Sequence, residues 1–276
     1  MLIAACAKTG DVPAYVEIPA VAFVAGPGQG GSTSKITDAW VTLDERTLGV
    51  WELPARIPAL AEGAHVIGVA PAVKRNGAFD DRIRYPFYTA WSGQALLARE
   101  GTSVVQPTTA YVSEAAVWHE GFDDPFSLLI NAAESDTPLV RFTPTAHPEL
   151  LFLENGPCAG FRLDAAHRFA RVLTDEDFEA SGGPVFLEID HRGDIAITVG
   201  LIYVAQGLER VEPYYIGLPT LRSDGSMPWN KAYIDLSGLF NSPVSQRDIY
   251  IEVRLPEDRS NGQAYIDNVK LLRMQP

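Results

Sequence analysis

Two carboxylates on one predicted strand have a spacing that could serve hydrolysis. Glu188 and Asp190 stand two residues apart in PVFLEID (184–190), so a strand would place both on the same face. Their separation of roughly 6–7 Å suits the acid and base of a glycosidase. The pattern equally describes acidic residues on the solvent face of a sheet. Hydrolysis is the less favoured hypothesis, because the chain has no G-x-S-x-G or H-E-x-x-H motif and its 5 histidines are scattered.

Aromatic side chains offer a second chemistry, the binding of sugars. A pyranose packs its C–H face on an exposed ring while its hydroxyls bond polar neighbours. Rings are concentrated in YPFYTAW (85–91), and the C-terminal part adds Tyr214, Tyr215 and Trp229. The predicted ligand-binding residues are Tyr85, Tyr88, Trp91 and Trp229. The alternative is that the same rings pack between sheets or at a domain junction, and for YPFYTAW this packing is the favoured interpretation.

The two cysteines lie in different surroundings. Cys158 occurs in NGPCAGF and is predicted to be a small buried hydrophobe rather than a nucleophile. Cys6 follows Leu2-Ile3-Ala4-Ala5, and this stretch resembles the lipobox of bacterial lipoproteins. There the signal peptidase admits small side chains and cleaves before a cysteine that is lipidated. The resemblance implies an exported protein, anchored by lipid at Cys6 to the outer membrane of a bacterial envelope. A chance apolar N-terminus is the alternative.

The composition indicates a folded globular protein. The 276 residues are 46% hydrophobic and 21% charged, which is enough for two domains with cores of their own. No apolar run approaches the roughly 20 residues that span a bilayer. The net charge of −13 is spread along the chain and repels nucleic acid, so no nucleic-acid partner is expected.

The elements that must position these residues read as strands throughout. The 23 glycines and 20 prolines interrupt short runs rich in Val, Ile, Tyr and Thr, which predicts an all-β protein. Period-two alternation is clear in DAWVTLD (38–44) and DIYIEVRL (248–255). We predict a tether over residues 1–14, one β-sandwich over 15–112 and a second, larger one over 113–276.

The first predicted sandwich contains a stretch similar to a known family. VTLDERTLGVWELPARIPALAEGAHVIGV (41–69) resembles PEGA-type domains, which are small Ig-like sandwiches of bacterial surface proteins. It shares their hairpin, a proline-bounded strand and a return strand after a turn. It departs from them at Glu45, where the hairpin usually has glycine, and at Ala61-Glu62-Gly63, which replaces Pro-x-Gly. The resemblance implies an Ig-like fold and no chemistry.

The second predicted sandwich resembles jelly-roll carbohydrate-binding modules and their relatives in bacterial surface lipoproteins. Three short stretches carry the resemblance: HEGFDDP (119–125), WNKAYIDLSGLF (229–240) and AYIDNVKL (264–271). The pairing of an Ig-like domain with a jelly roll is similar to outer-membrane lipoproteins of Bacteroidota-type bacteria. The implied fold class is all-β, an Ig-like sandwich followed by a jelly-roll sandwich. Such a fold resemblance names no ligand by itself.

This resemblance also implies a structural cation site. In jelly-roll modules, carboxylates of the first and last strands often hold Ca²⁺, and the matching positions are Glu120, Asp123 and Asp267. Calcium takes six to eight oxygens, so backbone carbonyls would complete the shell. The alternative is that Asp123-Asp124-Pro125 makes a tight turn and Asp267-Asn268 marks a strand bulge.

Together these features predict a non-catalytic lipoprotein of the cell envelope whose jelly-roll domain binds a glycan or an envelope protein. The alternative is a structural subunit of an outer-membrane assembly that binds no glycan. Three or more coplanar exposed rings beside polar groups would favour sugar, whereas a flat apolar patch would favour a protein partner.

Overall fold

The computed structural model describes residues 12–274 of the chain. This range folds as 21 strands and one four-residue helix, Ser237–Phe240 (α1). The prediction of an all-β protein is therefore confirmed. Within residues 12–274, no helix is long and apolar enough to cross a membrane.

The first ten strands build the Ig-like sandwich. They are β1 (Ala14–Ile18), β2 (Ala22–Phe23), β3 (Asp38–Leu43), β4 (Arg46–Glu52), β5 (Ala55–Ala59), β6 (Gly63–Lys74), β7 (Arg82–Arg84), β8 (Trp91–Leu97), β9 (Thr102–Val104) and β10 (Thr108–Thr109). One sheet has the order β5-β1-β9, the other has β4-β3-β6 with β7 and β8 both paired to β6, and β2 pairs with β10. The core between them contains Val16, Val41, Ile57 and Ile67.

The hairpin between β3 and β4 explains how Glu45 replaces the expected glycine. Asp44 and Glu45 both have positive φ, 46° and 68°, the conformation that a two-residue hairpin of matching twist requires. Asp44 stabilises this conformation without a glycine: its carboxylate accepts hydrogen bonds from the Val66 amide at 2.8 Å and from His65 Nδ1 at 2.6 Å.

The remaining strands build the jelly-roll sandwich. They are β11 (Ala115–Glu120), β12 (Leu129–Asn131), β13 (Val140–Phe142), β14 (Cys158–Asp164), β15 (Phe169–Thr174), β16 (Val185–Gly193), β17 (Ile197–Ala205), β18 (Leu208–Gly217), β19 (Asn230–Asp235), β20 (Ser245–Arg254) and β21 (Asn261–Met274). One sheet has the order β13-β14-β21-β16-β19, with β11 also on β21, and the other has β12-β15-β20-β17-β18. Every pairing is antiparallel.

The long strand β21 carries a bulge at its centre. Glu188 of β16 pairs with Lys270 and Asp190 pairs with Asp267, so β21 has one residue more than its neighbour over this interval. The extra residue is accommodated at Asn268, whose φ is 46°. Of the two interpretations of Asp267-Asn268, the strand bulge is thus what the backbone shows.

A cluster of aromatic rings joins the two sandwiches. The ring of Tyr85, from the first sandwich, lies 5.3 Å from that of Phe186 and 4.9 Å from that of Tyr233, both from the second. Tyr85 and Tyr88 are only 3% and 6% exposed. The prediction of Tyr85 and Tyr88 as ligand-binding residues is therefore wrong, and the favoured interpretation of YPFYTAW, in which the rings pack a domain junction, agrees with the structure. They are buried because the second sandwich covers them, and they pack the junction.

We expect Phe87→Ala to lower the free energy of unfolding by about 3–5 kcal/mol, because it empties a ring-sized space in this junction. Phe87 is fully buried there. Phe79→Ala is the matched control, since Phe79 is 75% exposed and its loss should change stability by no more than about 0.5 kcal/mol. Urea unfolding of both variants measures the difference, and equal losses would contradict the packing role.

Candidate functional site

The strand β16 is buried on both faces. Val185, Leu187 and Ile189 point into the core of the jelly-roll sandwich, as alternation requires. Glu188 and Asp190 point to the opposite face, which would be solvated if the second sandwich stood alone. The first sandwich covers this face, and every residue of β16 is buried.

The covered face carries a charge cluster made of Glu188, Asp190, Lys231 and Lys270. Glu188 lies between Tyr233 and Lys270 on the neighbouring strands, while Asp190 lies opposite Lys231. Lys231 Nζ is 3.1 Å from Glu188 Oε2 and 3.4 Å from Asp190 Oδ2. One ammonium group therefore compensates two buried carboxylates.

The first sandwich completes the charge cluster with polar groups. The Tyr111 hydroxyl donates to Glu188 Oε2 at 3.0 Å, and the Thr33 hydroxyl donates to Asp190 Oδ2. Lys270 Nζ donates in turn to the carbonyl oxygen of Gly31. Buried charges require such partners, because a carboxylate or ammonium group loses its hydration on burial, and only new ion pairs and hydrogen bonds offset that free-energy cost.

Burial shifts the acid–base behaviour of this face. It opposes the charge on Lys231, yet Asp190 and Glu188 raise the pKa of Lys231 above its ordinary value. Burial and the nearby Lys231 lower the pKa of Lys270 to about 8. Burial, with the adjacent carboxylate of Asp190 contributing, raises the pKa of Asp267 to about 8.

The position of Glu188 and Asp190 decides the glycosidase hypothesis. The two are 0% and 3% exposed and are bound to Lys231 and to hydroxyls of the first sandwich. A glycan cannot reach carboxylates in this setting, so the structure contradicts the less favoured hypothesis that these two form a glycosidase pair. The sequence placed them correctly on one face, and the covering domain changes what that face does.

A groove of about 490 Å³ opens at the rim of the covered face. Its lining comes from both sandwiches and combines aromatic, amide, hydroxyl and cationic side chains with apolar ones: Lys35, Asn76, Gly77, Tyr215, Ile216, Leu218, Pro219, Thr220, Leu221, Arg222, Pro228, Trp229, Asn230 and Lys231. This volume is typical of small-molecule sites, and the lining is more polar than that of most of them.

The first sandwich reaches the groove through the turn after β6. The Asn76 backbone N–H donates to the Tyr233 carbonyl, and its side-chain oxygen accepts the Asp235 N–H at 2.8 Å. Gly77 then approaches the Tyr215 ring so closely that an added Cβ would lie 3.3 Å from it. The turn is thereby fixed as one wall of the groove.

The Trp229 ring is partly exposed and firmly positioned. Its Nε1–H donates to the Leu151 carbonyl at 2.9 Å. The Arg192 guanidinium lies 5.8 Å from the ring centre, within the range of a cation–π contact. Trp229, one of the predicted ligand-binding residues, therefore lines a concave surface as a preorganised ring.

The side-chain amide of Asn230, next to Trp229, has one orientation. Lys35 Nζ can only donate, so the Asn230 oxygen must face it, at 2.6 Å. Asn230 Nδ2 then faces His191 Nε2 at 2.9 Å and donates to its lone pair. His191 is neutral in this contact, in agreement with the burial that lowers its pKa to about 4.

The other predicted site residues lie elsewhere. Trp91 borders a separate cavity of about 320 Å³ on the first sandwich, next to Trp40, and does not meet Trp229. Cys6 lies outside the described residues. Cys158 is buried, and burial raises the pKa of its thiol to about 12, as expected for a small hydrophobe.

The predicted cation site is only partly assembled. Both Glu120 carboxylate oxygens accept hydrogen bonds within the following loop, from the Phe122 and Leu128 amides at 2.6 Å each. Asp123 and Asp267 line a small cavity of about 130 Å³. Within residues 12–274, no group of three or more His, Cys, Asp or Glu is placed to hold a metal ion. Calcium binding stays a prediction without a ligand set.

Sequence reasoning missed the polar half of the groove. Lys35 follows a Gly- and Ser-rich stretch, and Asn76 and Arg222 stand in turns, where polar residues carry no special signal. Asn230 could have been found as the immediate neighbour of Trp229. Three or more coplanar exposed rings would have favoured sugar, and this criterion is not met: among residues 12–274, the groove lining has two aromatic residues, Tyr215 and Trp229.

We expect Lys231→Met to lower the free energy of unfolding by about 3–5 kcal/mol, because it removes the only cation in the described range that lies within ion-pair distance of the two buried carboxylates. Lys74→Met is the matched control. Lys74 pairs with the largely exposed Glu52 at 3.3 Å, and its loss should cost no more than about 1 kcal/mol. Chemical denaturation measures the free energy of unfolding of both variants. A similar small decrease in both would show that the charge cluster stabilises the fold no more than an exposed ion pair does.

Comparisons with known proteins give no family assignment. No family model matches the chain, and no curated protein matches it. Among solved structures, it is similar to the carbohydrate-binding module CBM28, specific for non-crystalline cellulose, with TM-score 0.40, 15% identity and coverage of 56% of this chain and 92% of that one. The K1 adhesin domain of Lys-gingipain from Porphyromonas gingivalis W83 has TM-score 0.40, 10% identity and coverages of 56% and 97%. A variant of the family 29 module CBM29-2 has TM-score 0.36, 7% identity and coverages of 58% and 87%. Similarity this low carries no inference about a ligand.

Proposed function

We propose that the protein is a non-catalytic binding protein whose jelly-roll domain holds a glycan in the groove beside Trp229. The observation that carries this proposal is the fixed, partly exposed Trp229 ring in the lining of a groove that also presents amides, hydroxyls and cations. An aromatic platform supports the apolar face of a pyranose, and the flanking polar groups match its hydroxyls.

Polar side chains line the same groove as Trp229 and would bind the hydroxyls of a sugar that rests on its ring. Asn230 follows Trp229 directly and is oriented by Lys35 and His191. Thr220 and Asn76 line the same groove from two other segments. Because hydrogen bonds already hold Trp229 and Asn230 in place, binding would cost little side-chain ordering.

Trp229→Ala should raise the dissociation constant for the bound polysaccharide at least about tenfold, because it removes the platform. Trp40→Ala is the matched control, since Trp40 is a 37% exposed ring on the first sandwich, outside the groove. Affinity gel electrophoresis across a panel of polysaccharides identifies the ligand and then compares the variants. Absence of retardation on every glycan, or unchanged binding by Trp229→Ala, would refute the proposal.

A protein partner is the second candidate. The rim of the groove exposes Ile216, Leu218 and Leu221, at 60%, 73% and 50%. Exposed apolar residues that lie together mark interaction surfaces. An envelope protein that docks on this rim would make the chain a structural subunit of an outer-membrane assembly, and a Leu218→Asp substitution would then abolish association while glycan binding is absent in the native chain.

We also propose that Cys6 carries the lipid that retains the protein at the bacterial envelope. The support is the order of small and aliphatic residues before this cysteine. Each buried methylene contributes about 0.8 kcal/mol, so two or three acyl chains would give stable anchoring where one would not.

Mass spectrometry of the polypeptide isolated from its native cells tests this anchor. The expected form begins at a lipid-modified Cys6. An unmodified Cys6 thiol, with the five preceding residues still attached, would contradict it.

A further inference from the structure

We propose that the groove takes an acidic glycan, one that presents a carboxylate or a sulfate ester beside the ring that rests on Trp229. This inference rests on the proposed glycan binding and adds the chemical class of the ligand. It is carried by the distribution of charge in the groove relative to the rest of the molecule.

The charged side chains that line the groove are all cationic. They are Lys35, Arg222 and Lys231, and no Asp or Glu from residues 12–274 belongs to the lining. The whole chain has the opposite balance, with 35 acidic and 22 basic residues. A local reversal of sign in an acidic protein concentrates anionic ligands at that place and discourages them elsewhere.

Two of the three cations have no carboxylate partner within the described range. Lys231 is engaged by Glu188 and Asp190 beneath the groove, so its charge is already compensated. Over residues 12–274, no ion pair within 4.0 Å involves Lys35 or Arg222. These two side chains therefore remain available to a ligand.

Lys35 is held next to the aromatic platform. Its ammonium group donates to the oxygen of Asn230, which directly follows Trp229, and this single bond leaves further N–H donors. Burial, and after it the like charge of Lys74, lowers the pKa of Lys35. A bound anion would supply the opposite charge that the site lacks.

Arg222 is exposed at the rim and can form a forked contact with a ligand. Its charge also acts on the Asp224 carboxylate, because hydrogen bonds from Ser226 and, after them, the charge of Arg222 lower the pKa of Asp224. The nearest acidic residue in sequence, Asp224, directs its carboxylate to the backbone N–H and hydroxyl of Ser226, at 2.9 and 2.6 Å. A guanidinium matches the two oxygens of a carboxylate or sulfate with two parallel N–H donors. Arg222 and Lys35 thus offer complementary contacts to an acidic sugar.

The test compares binding of the full chain to polygalacturonate, chondroitin sulfate, neutral mannan, hydroxyethyl cellulose and poly-glutamate by isothermal titration calorimetry. We expect binding to polygalacturonate, chondroitin sulfate or both. Polygalacturonate carries carboxylates alone and chondroitin sulfate also carries sulfate esters, so comparing the two shows whether the sulfate is needed. Arg222→Gln should weaken this binding about tenfold or more, and Arg222→Lys should weaken it less. Arg210→Gln is the matched control, since Arg210 is exposed on β18 outside the groove.

The outcomes separate this inference from the proposed function. Binding to a neutral glycan that depends on Trp229 but not on Arg222 would overturn the acidic class and leave glycan binding standing. Binding to none of the glycans would overturn both. Equal binding to poly-glutamate, with equal loss in Arg222→Gln, would overturn the inference in favour of an acidic peptide.

Discussion

The buried ion pairs of Lys231 with Glu188 and Asp190 are the interaction on which the arrangement of this protein depends. Desolvating three charges is expensive, and their mutual attraction offsets the cost only if the remaining polar atoms also find partners. Partners come from the first sandwich, as the hydroxyls of Thr33 and Tyr111, while Glu188 Oε1 is buried without a hydrogen bond among the described residues. Polar matching therefore fixes one placement of the two sandwiches, and the surrounding aromatic rings supply the apolar contact that accompanies it.

The same placement creates the groove. Lys35 and Asn76 come from the first sandwich, while Trp229, Asn230 and Arg222 come from the second. Asn230 precedes Lys231 on β19, so the residue that presents a polar group to the groove is adjacent to the residue that neutralises the charge cluster. Ligand binding at this site would thus depend on the docking of the two sandwiches, because displacement of the first one removes Asn76 and Lys35 from the groove.

Much of the fold could be predicted from alternation in the sequence, and the exceptions have a common physical cause. The all-β class follows from short period-two runs, and the same rule correctly put Glu188 and Asp190 on one face of their strand. Alternation says which residues share a face but not what covers it. The predicted solvent face of β16 and the predicted exposed rings Tyr85 and Tyr88 are both buried, because each lies against the other domain.

Calorimetry of the full chain tests most directly whether the buried charge cluster unites the two sandwiches. If Lys231 and its partners couple them, heating should give one cooperative transition in which the calorimetric and van't Hoff enthalpies agree. Two separate transitions, one for each sandwich, would show that the domains are stable without this contact and would contradict the account.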